Sequence, residues 1–465
     1  MQIQEQTRVQ SLDILRALIM VLMIFVNDIP GLGETIPHWL HHAAYDEDML
    51  GLSDIVFPGF LFCVGLSIPF ALRQRLDRGE GRAACLYHIV ERSLALLIMG
   101  LFASNSFGMT AESMGLPSHL LKILSVVAFF LIWNKYPRAT PKQEKLYNQL
   151  KVLGWTILGM LALLYIRKPG ADDLVVRTSW MSFSMPAAVK YYIQFTIILL
   201  MVAYLLVFRS WKWAYQRYER WIRIAAVLLL YLFLFKGADK QGWVGLRPGW
   251  WQILGLIGWT YFYTASLFLL TRFRLVPNLL LALGSLVLAM LSSEGCLGGF
   301  QHVIPGNGSF HTLTFAGVVA GLWLQQHGTV ADFGKLAKRL GLAAVLCAVG
   351  GWFTHRFWII SKLQETAPWV LYCLAISFAA LLLLHYCADI RGKAHWFHWV
   401  KPAGTATLTC YMLPSVVYAL IAWVGMKYPA WACEGLGGIF RSILFAAVIV
   451  AFTAALGKLK IQLKI

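Results

Sequence analysis

The sequence predicts an all-α integral membrane protein, a polytopic bundle of about 10–14 transmembrane helices with both termini inside. Three observations support this fold class. Of the 465 residues, 59% are hydrophobic and only 13% are charged, whereas a soluble domain carries about 25% charged residues. Apolar runs of helix length recur along the whole chain, and the basic residues concentrate in alternate loops between them. The composition therefore excludes an ordinary soluble domain.

Polar residues separate the apolar runs and define the candidate spans in order. A spanning helix needs about 20 mostly apolar residues. The seventh and eleventh runs, 223–237 and 339–354, are short for a span, which is why the predicted number of helices is a range. The fourteen candidate spans are 12–29, 52–73, 84–105, 118–134, 149–166, 190–208, 223–237, 249–271, 275–293, 311–326, 339–354, 366–387, 402–425 and 438–457.

The distribution of basic residues predicts the orientation. Cytoplasmic loops of membrane proteins collect Lys and Arg, and with the N-terminus inside, the inner loops and tails hold 26 of the 40 Lys and Arg residues. We therefore expect an N-in, C-in multi-pass protein of the inner (cytoplasmic) membrane, in contact with the lipid bilayer. The same bias accounts for the net charge of +18 without a nucleic-acid partner. A homodimer is compatible with this pattern.

A few polar residues near the predicted outer membrane face are the candidates for chemistry. Polar groups at membrane depth are costly, so each is a functional candidate. Asn27 lies at the end of the first span, His42 follows in the outer loop beside His38 and His41, and Asp54 lies near the start of the second span. Because the second span starts outside, Asn27, His42 and Asp54 are expected to converge at the outer boundary.

These three residue types suit acyl transfer. Histidine changes protonation near neutral pH and can act as a general base. Asp54 could hold the imidazole of His42 in one tautomer and stabilise its cation, while the Asn27 amide could donate to an oxyanion. His38 and His42, at i and i+4, would also suit a metal on a helix. No third ligand follows at a recognised spacing, so no metal is predicted.

Arginines concentrate at the predicted inner face of the first three helices. Arg16 lies three residues after Asp13, a spacing that favours an ion pair on a helix. The positive-inside rule explains most of the cluster, but a pocket for an anionic, phosphate-bearing ligand would use the same residues. Both interpretations stay open for Arg8, Arg16, Arg73, Arg75, Arg78, Arg82 and Arg92.

The residues in question resemble the heparan-alpha-glucosaminide N-acetyltransferase family of transmembrane acyltransferases. The family pattern reads R-x-x-S-x-D-x-x-R-G, M-x-x-V-N, H-A-x-W and A-D-L-V-F-P-x-F. Further along, Arg92-Ser93 followed by Gly100, and the stretch 258–262, are similar to later family segments. The opening pattern is matched here by Arg8, Ser11, Asp13, Arg16, Met23, Val26, Asn27, His42, Ala43, Asp54, Val56, Phe57, Pro58 and Phe60.

The resemblance implies an acetyltransferase whose catalytic residues are His42, Asn27 and Asp54. It implies acetyl-CoA as the co-substrate on the cytoplasmic side and an amino sugar or other glycan as the acceptor outside. Direct transfer and an acetyl-histidine intermediate both remain open, as do N- and O-acetylation. The residues expected to bind CoA are Arg92, Ser93, Arg16, Arg73 and Arg75.

The resemblance also suggests how the chain is organised. We expect one membrane domain over 1–465, in which helices of 8–105 carry the family motifs, four spans within 118–237 are inserted, and 249–457 form the remaining bundle. The chain would then be a bacterial-type member without an extracytoplasmic domain before Arg8. Residues 45–48 read Tyr-Asp-Glu-Asp where the family has W-N-G, so the acceptor stays open.

Two alternatives belong to other classes. A secondary transporter would use His42 and Asp54 as a proton relay, but it predicts inverted repeats and broken helices, and no internal symmetry is visible. An O-acetyltransferase of surface polysaccharides shares the S-L-D-x-L-R opening seen at 11–16, but usually lacks the D-x-V-F-P run of 54–58.

Overall fold

The structure is a computed structural model, and it confirms an all-α, multi-pass membrane protein. Within the part of the chain that it describes, eight helices are long and apolar enough to cross a membrane. It describes residues 9–107, 118–137, 140–165, 173–177, 182–186, 237–239, 242–244, 252–297 and 305–465. The helices within these ranges are α1 Gln10–Asp28, α2 Leu52–Asp77, α3 Arg82–Phe107, α4 Ser118–Trp133, α5 Pro141–Tyr165, α6 Gln252–Leu270, α7 Leu275–Ser293, α8 Ser309–His327, α9 Phe333–Thr354, α10 Ala367–His385, α11 Lys401–Thr405, α12 Thr407–Val424 and α13 Gly435–Lys458.

The predicted spans agree with these helices wherever the structure describes them. The span predicted over 402–425 is divided into α11 and α12, because Ala406 between them leaves the helical conformation with φ −123° and ψ 46°. The candidates 190–208 and 223–237 lie outside the described residues, except for Gly237, which begins a strand. Four short strands form two antiparallel hairpins, β1 Asp173–Arg177 with β2 Ser182–Pro186 and β3 Gly237–Asp239 with β4 Gly242–Val244.

The chain divides into two compact units. The first contains Met1–Val90, Trp259–Tyr411 and Tyr428–Gly457, and the second contains Glu91–Gly258, Met412–Lys427 and Lys458–Ile465. The spans predicted as an insertion, 118–237, fall within the second unit. All three predicted catalytic residues belong to the first unit.

Helix α8 is the centre of the first unit. Every residue from Ser309 to Leu322 is buried, because α8 is enclosed by neighbouring helices. A Cβ atom at Gly65 of α2 would overlap the carbonyl oxygen of Thr314, so α2 and α8 can approach this closely only with glycine at that position. The Thr314 hydroxyl in turn lies 2.9 Å from that of Thr264 on α6. The packing fixes α2, whose outer end carries Asp54.

Both ends of α1 are held by polar contacts within the first unit. At its start, the Asp389 carboxylate accepts the backbone N–H groups of Gln10 and Ser11, at 2.8 and 3.0 Å. These donors have no partner inside their own helix, so a carboxylate there stabilises the helix end. At the other end, the buried Asp28 carboxylate accepts from Arg441 at 3.1 Å and Ser442 at 2.6 Å. The position of Asn27, next to Asp28, is fixed accordingly.

Within the second unit, the end of the chain pairs with the end of α4. The Lys135 N–H donates to the Gln462 carbonyl at 2.8 Å, and the Lys464 N–H donates to the Trp133 carbonyl at 2.9 Å. The Asn134 side chain accepts the Gln462 N–H at 2.8 Å. This short extended pairing anchors the C-terminal residues.

Candidate active site

His42 and Asp54 form a hydrogen-bonded pair at the N-terminal end of α2. The Nδ1 atom of His42 lies 2.7 Å from Oδ1 of Asp54. The Asp54 side chain is 1% exposed and the His42 side chain is 40% exposed. A buried carboxylate therefore holds one edge of an imidazole whose other edge faces outward. Asp54 lies in the first turn of α2, whereas His42 comes from the loop before it.

The second carboxylate oxygen of Asp54 is held by the backbone. Oδ2 accepts the N–H of Ala43 at 3.0 Å and the N–H of Gly51, the residue before α2, at 3.3 Å. A Cβ atom at Gly51 would overlap the His41 carbonyl oxygen, so glycine lets the loop approach the helix start. The loop thus brings His42 beside Asp54 and fixes the orientation of the carboxylate.

A proline explains how α2 is tied to α10 at this point. In a regular helix the Asp54 carbonyl would accept the N–H of residue 58, but Pro58 has none. The indole Nε1–H of Trp369, which is fully buried, donates to this carbonyl at 3.1 Å. The D-x-x-x-P spacing of the sequence therefore leaves an open acceptor, and α10 supplies the donor.

We expect Trp369→Phe to lower the free energy of unfolding by about 1–3 kcal/mol, because it removes the indole donor of the buried Asp54 carbonyl and leaves only the weak Cys373 thiol donor, at 4.0 Å. Thermal unfolding in detergent measures this loss. Trp423→Phe is the control, since this indole lies on an exposed part of α12. Equal stability of both variants would contradict the account of Pro58.

The short His42–Asp54 distance assigns the tautomer. A ring nitrogen and a carboxylate oxygen approach to 2.7 Å when a proton lies between them, because two lone pairs would repel. Nδ1 of His42 therefore carries the proton and donates it to Asp54. In the neutral ring, the lone pair is then on Nε2, the nitrogen available to a substrate as a base or nucleophile.

A third group, Lys362, completes the site. Its Nζ atom lies 3.2 Å from His42 Nδ1 and 3.9 Å from Asp54 Oδ1. Burial disfavours the ammonium form and lowers the pKa of Lys362, although the charge of Asp54 opposes the shift. The site thus contains a carboxylate, an imidazole and an amine that is more easily deprotonated than an exposed lysine.

Lys362 is presented by a tightly bonded turn between α9 and α10, Ser361–Thr366. The N–H of Thr366 donates to the Ser361 carbonyl at 3.1 Å, and the N–H of Ser361 donates to the Thr366 hydroxyl at 3.1 Å. Gln364 Nε2 donates to the Tyr45 carbonyl at 2.7 Å, joining the turn to the loop of His42. Glu365 has a left-handed φ of 57°, and burial raises its pKa to about 7.

Asn27 lies in the last turn of α1 and makes no hydrogen bond with His42 or Asp54 among the described residues, so its predicted convergence with them stays a prediction. Its side chain is exposed, and within the described ranges we find no hydrogen-bond partner for it. The amide is therefore free to bind a substrate. His38 does not share a helix with His42, since Leu40 ends its short 3₁₀ turn. Its ring lies 3.3 Å from Glu47 instead.

The predicted CoA-binding residues fall into different environments. Arg16 donates to Asp13 at 2.7 Å and to the Gly404 carbonyl at 2.9 Å, as the ion-pair interpretation predicts. Arg75 is paired with Glu80 at 3.0 Å. Arg73, by contrast, is exposed and has no hydrogen-bond partner among the residues whose side chains are described.

The remaining two predicted CoA-binding residues lie on α3, in the second unit. Arg92 is exposed and Ser93 is buried. Together with Arg16, Arg73 and Arg75, they stay predictions as CoA ligands.

Comparison with known proteins identifies the family. A family model with the description "Domain of unknown function (DUF5009)" matches residues 8–280, more than half of the chain. The chain belongs to this family. Within the DUF5009 match lie Asn27, His42 and Asp54, whereas Lys362 and Trp369 lie beyond it.

Two curated relatives of this DUF5009 protein carry the name heparan-alpha-glucosaminide N-acetyltransferase. The mouse protein is 34% identical over 99 residues, and the human protein is 33% identical over 99 residues. Each match covers 21% of this chain and 14% of the relative. The chain thus spans about a seventh of the length of these relatives, and the comparison supports a distant relation to acetyltransferases.

Sequence reasoning missed Lys362 and Trp369 because neither is near the motifs in the chain. One signal was available for Trp369: the proline at 58 removes the donor for the Asp54 carbonyl, so some other group had to supply it. Lys362 lies in a predicted outer loop, but nothing in the sequence indicates which residue it contacts.

Proposed function

We propose that this protein is a membrane acetyltransferase that moves the acetyl group of cytoplasmic acetyl-CoA to an amino sugar or other glycan on the outer side. The observation that carries this proposal is the His42–Asp54 pair, at 2.7 Å. Such a pair orients an imidazole for acyl transfer, and it occurs in a chain related to named acetyltransferases. The exposed edge of His42 would meet the acceptor.

In the proposed reaction, Nε2 of His42 either removes the proton of the acceptor or attacks the thioester carbonyl carbon. In both cases the ring gains positive charge, which the Asp54 carboxylate stabilises through Nδ1. The carbonyl oxygen gains negative charge, and the free amide of Asn27 would donate a hydrogen bond to it. Each of the three predicted catalytic residues thus has a distinct role.

The test is acetyl transfer by the purified protein in detergent or vesicles, with isotope-labelled acetyl-CoA and acceptors bearing either amino or hydroxyl groups. We expect label on the acceptor and release of free CoA. Label on hydroxyl acceptors alone would assign O-acetylation of a glycan. Absence of both CoA binding and transfer would contradict the proposal, and proton-coupled substrate uptake without acetyl transfer would favour a transporter.

The inner-face arginines give a second prediction, because their environments differ. Arg73→Ala should weaken CoA binding about tenfold or more relative to pantetheine, which lacks the phosphates, since it would lose a charge-assisted hydrogen bond. Rising salt should reduce this difference. Binding titrations with CoA, dephospho-CoA and pantetheine measure the effect.

Arg391→Ala is the matched control for this variant. Arg391 is an exposed arginine of a predicted inner loop, it is not one of the predicted CoA-binding residues, and it donates to the Tyr386 hydroxyl at 2.8 Å. Its removal should leave the affinity for all three ligands unchanged. If Arg73→Ala weakens all three ligands equally, the phosphate role of Arg73 is wrong.

A further inference from the structure

We propose that Lys362 is a positioning residue that takes up the Nδ1 proton of His42 when Nε2 forms its new bond. This inference rests on the proposed acetyl transfer. It gives His42 a proton acceptor that lies outside the family motifs. The geometry comes from two separate segments of the chain, the loop before α2 and the turn Ser361–Thr366.

Asp54 and Lys362 compete for the Nδ1 atom of His42. Nδ1 of His42 faces both Asp54 Oδ1, at 2.7 Å, and Lys362 Nζ, at 3.2 Å. Since Nδ1 already carries a proton, an ammonium group cannot donate to it. A neutral amine can accept from it, because its nitrogen then has a lone pair.

Burial favours the uncharged form of Lys362. Its side chain is 23% exposed, and burial lowers its pKa, with the charge of Asp54 opposing the shift. The titratable groups that face it are His42 and Asp54 from the start of α2 and the loop before it, and the Cys373 thiol from α10. Lys362 can therefore lose its proton in a range where an exposed lysine would keep it.

The protons balance in the route in which His42 is the nucleophile. As Nε2 bonds to the acetyl carbon, the carbon–sulfur bond breaks and the sulfur leaves as thiolate. The ring becomes cationic, its Nδ1 proton becomes acidic, and neutral Lys362 accepts it. When the acceptor attacks, the bond from Nε2 to carbon breaks, Lys362 returns the proton to Nδ1, and the proton lost by the acceptor neutralises the thiolate.

The same transfer applies if His42 acts as a general base. Nε2 then binds the acceptor proton, and the positive ring again shares its Nδ1 proton with Asp54 and Lys362. In either route an uncharged Lys362 relieves the ring of charge, whereas a charged Lys362 opposes it.

The experiment compares the pH dependence of kcat in the wild type, Lys362→Arg and Lys362→Met. The wild-type kcat should rise with pH as Lys362 loses its proton. Arginine stays protonated and methionine has no base, so both variants should lose this rise and about 10²-fold in kcat at the wild-type optimum. The KM for the acceptor should stay near the wild-type value, because Lys362 acts through His42.

Lys427→Met is the matched control, an exposed lysine of another predicted outer loop, and it should behave as the wild type. A lysine that only supports the turn would be replaced by arginine with the pH-dependent rise intact, and this result would overturn the inference. Unchanged kcat in Lys362→Met would also overturn it.

Thermal unfolding and the Kd for CoA show whether each variant is folded. If Lys362→Met does not fold, the pH dependence of kcat in Lys362→Arg, which keeps the positive charge, tests the inference. A wild-type protein without acetyl transfer would instead refute the proposed function, and the inference would fall with it.

Discussion

Replacing His42 with alanine is expected to abolish most acetyl transfer, with a loss in kcat of about 10²–10⁴-fold, the usual contribution of a general acid–base group. The reason is the arrangement of the site. Asp54 holds Nδ1, so the lone pair of Nε2 is directed away from the carboxylate, and no other imidazole is bonded to Asp54 among the described residues. Initial rates with labelled acetyl-CoA measure the loss.

Two neighbouring histidines serve as controls for His42. His38 is exposed and its ring lies 3.3 Å from Glu47, and the Nε2 atom of His41 is buried and makes no hydrogen bond to Asp54 in the described part of the chain. His38→Ala and His41→Ala should keep CoA binding and most of the activity. If His41→Ala is inactive and His42→Ala is active, the assignment of the catalytic histidine is wrong.

Asp54→Asn is expected to lower kcat by about 10⁴-fold, the effect of the same change in a Ser-His-Asp triad. The structure explains why the amide would be harmful. The oxygen of Asn must accept the N–H groups of Ala43 and Gly51, which now bond Oδ2. Its NH₂ group then faces Nδ1 of His42 and donates to it. The ring would have to carry its proton on Nε2, which can no longer act as a base or nucleophile.

The matched control for this variant is Glu47→Gln. Glu47 is also a carboxylate of the outer loop that pairs with a histidine, His38, and accepts a backbone N–H, that of Ala44 at 2.9 Å. It should keep near wild-type kcat. Thermal unfolding separates catalysis from stability. Full activity of Asp54→Asn, with a normal pH profile, would show that the tautomer of His42 does not matter for the reaction.

Much of the fold could be predicted from composition and periodicity. Lipid contact demands long apolar helices with satisfied backbone groups, so run length and polar punctuation are enough to locate α1 to α3, α6 to α8 and α10 within a few residues, whereas α9 begins six residues before its predicted span. The break at Ala406 was not predicted, because no proline or charged residue stands between Gly404 and Leu408 to mark it.

The site shows the same division. The local part of the site follows from residues close together in the chain: the apolar runs predict Asn27 and Asp54 near one membrane face, the loop of histidines lies between them, and Pro58 removes the donor for the Asp54 carbonyl. The pairing of His42 with Asp54 is also a prediction of the sequence. The tertiary structure adds Lys362 and Trp369, more than 300 residues away in the chain, at the same point. Their positions follow from the packing of α10 and its preceding turn against α2, and such long-range contacts have no periodicity that a single sequence could reveal.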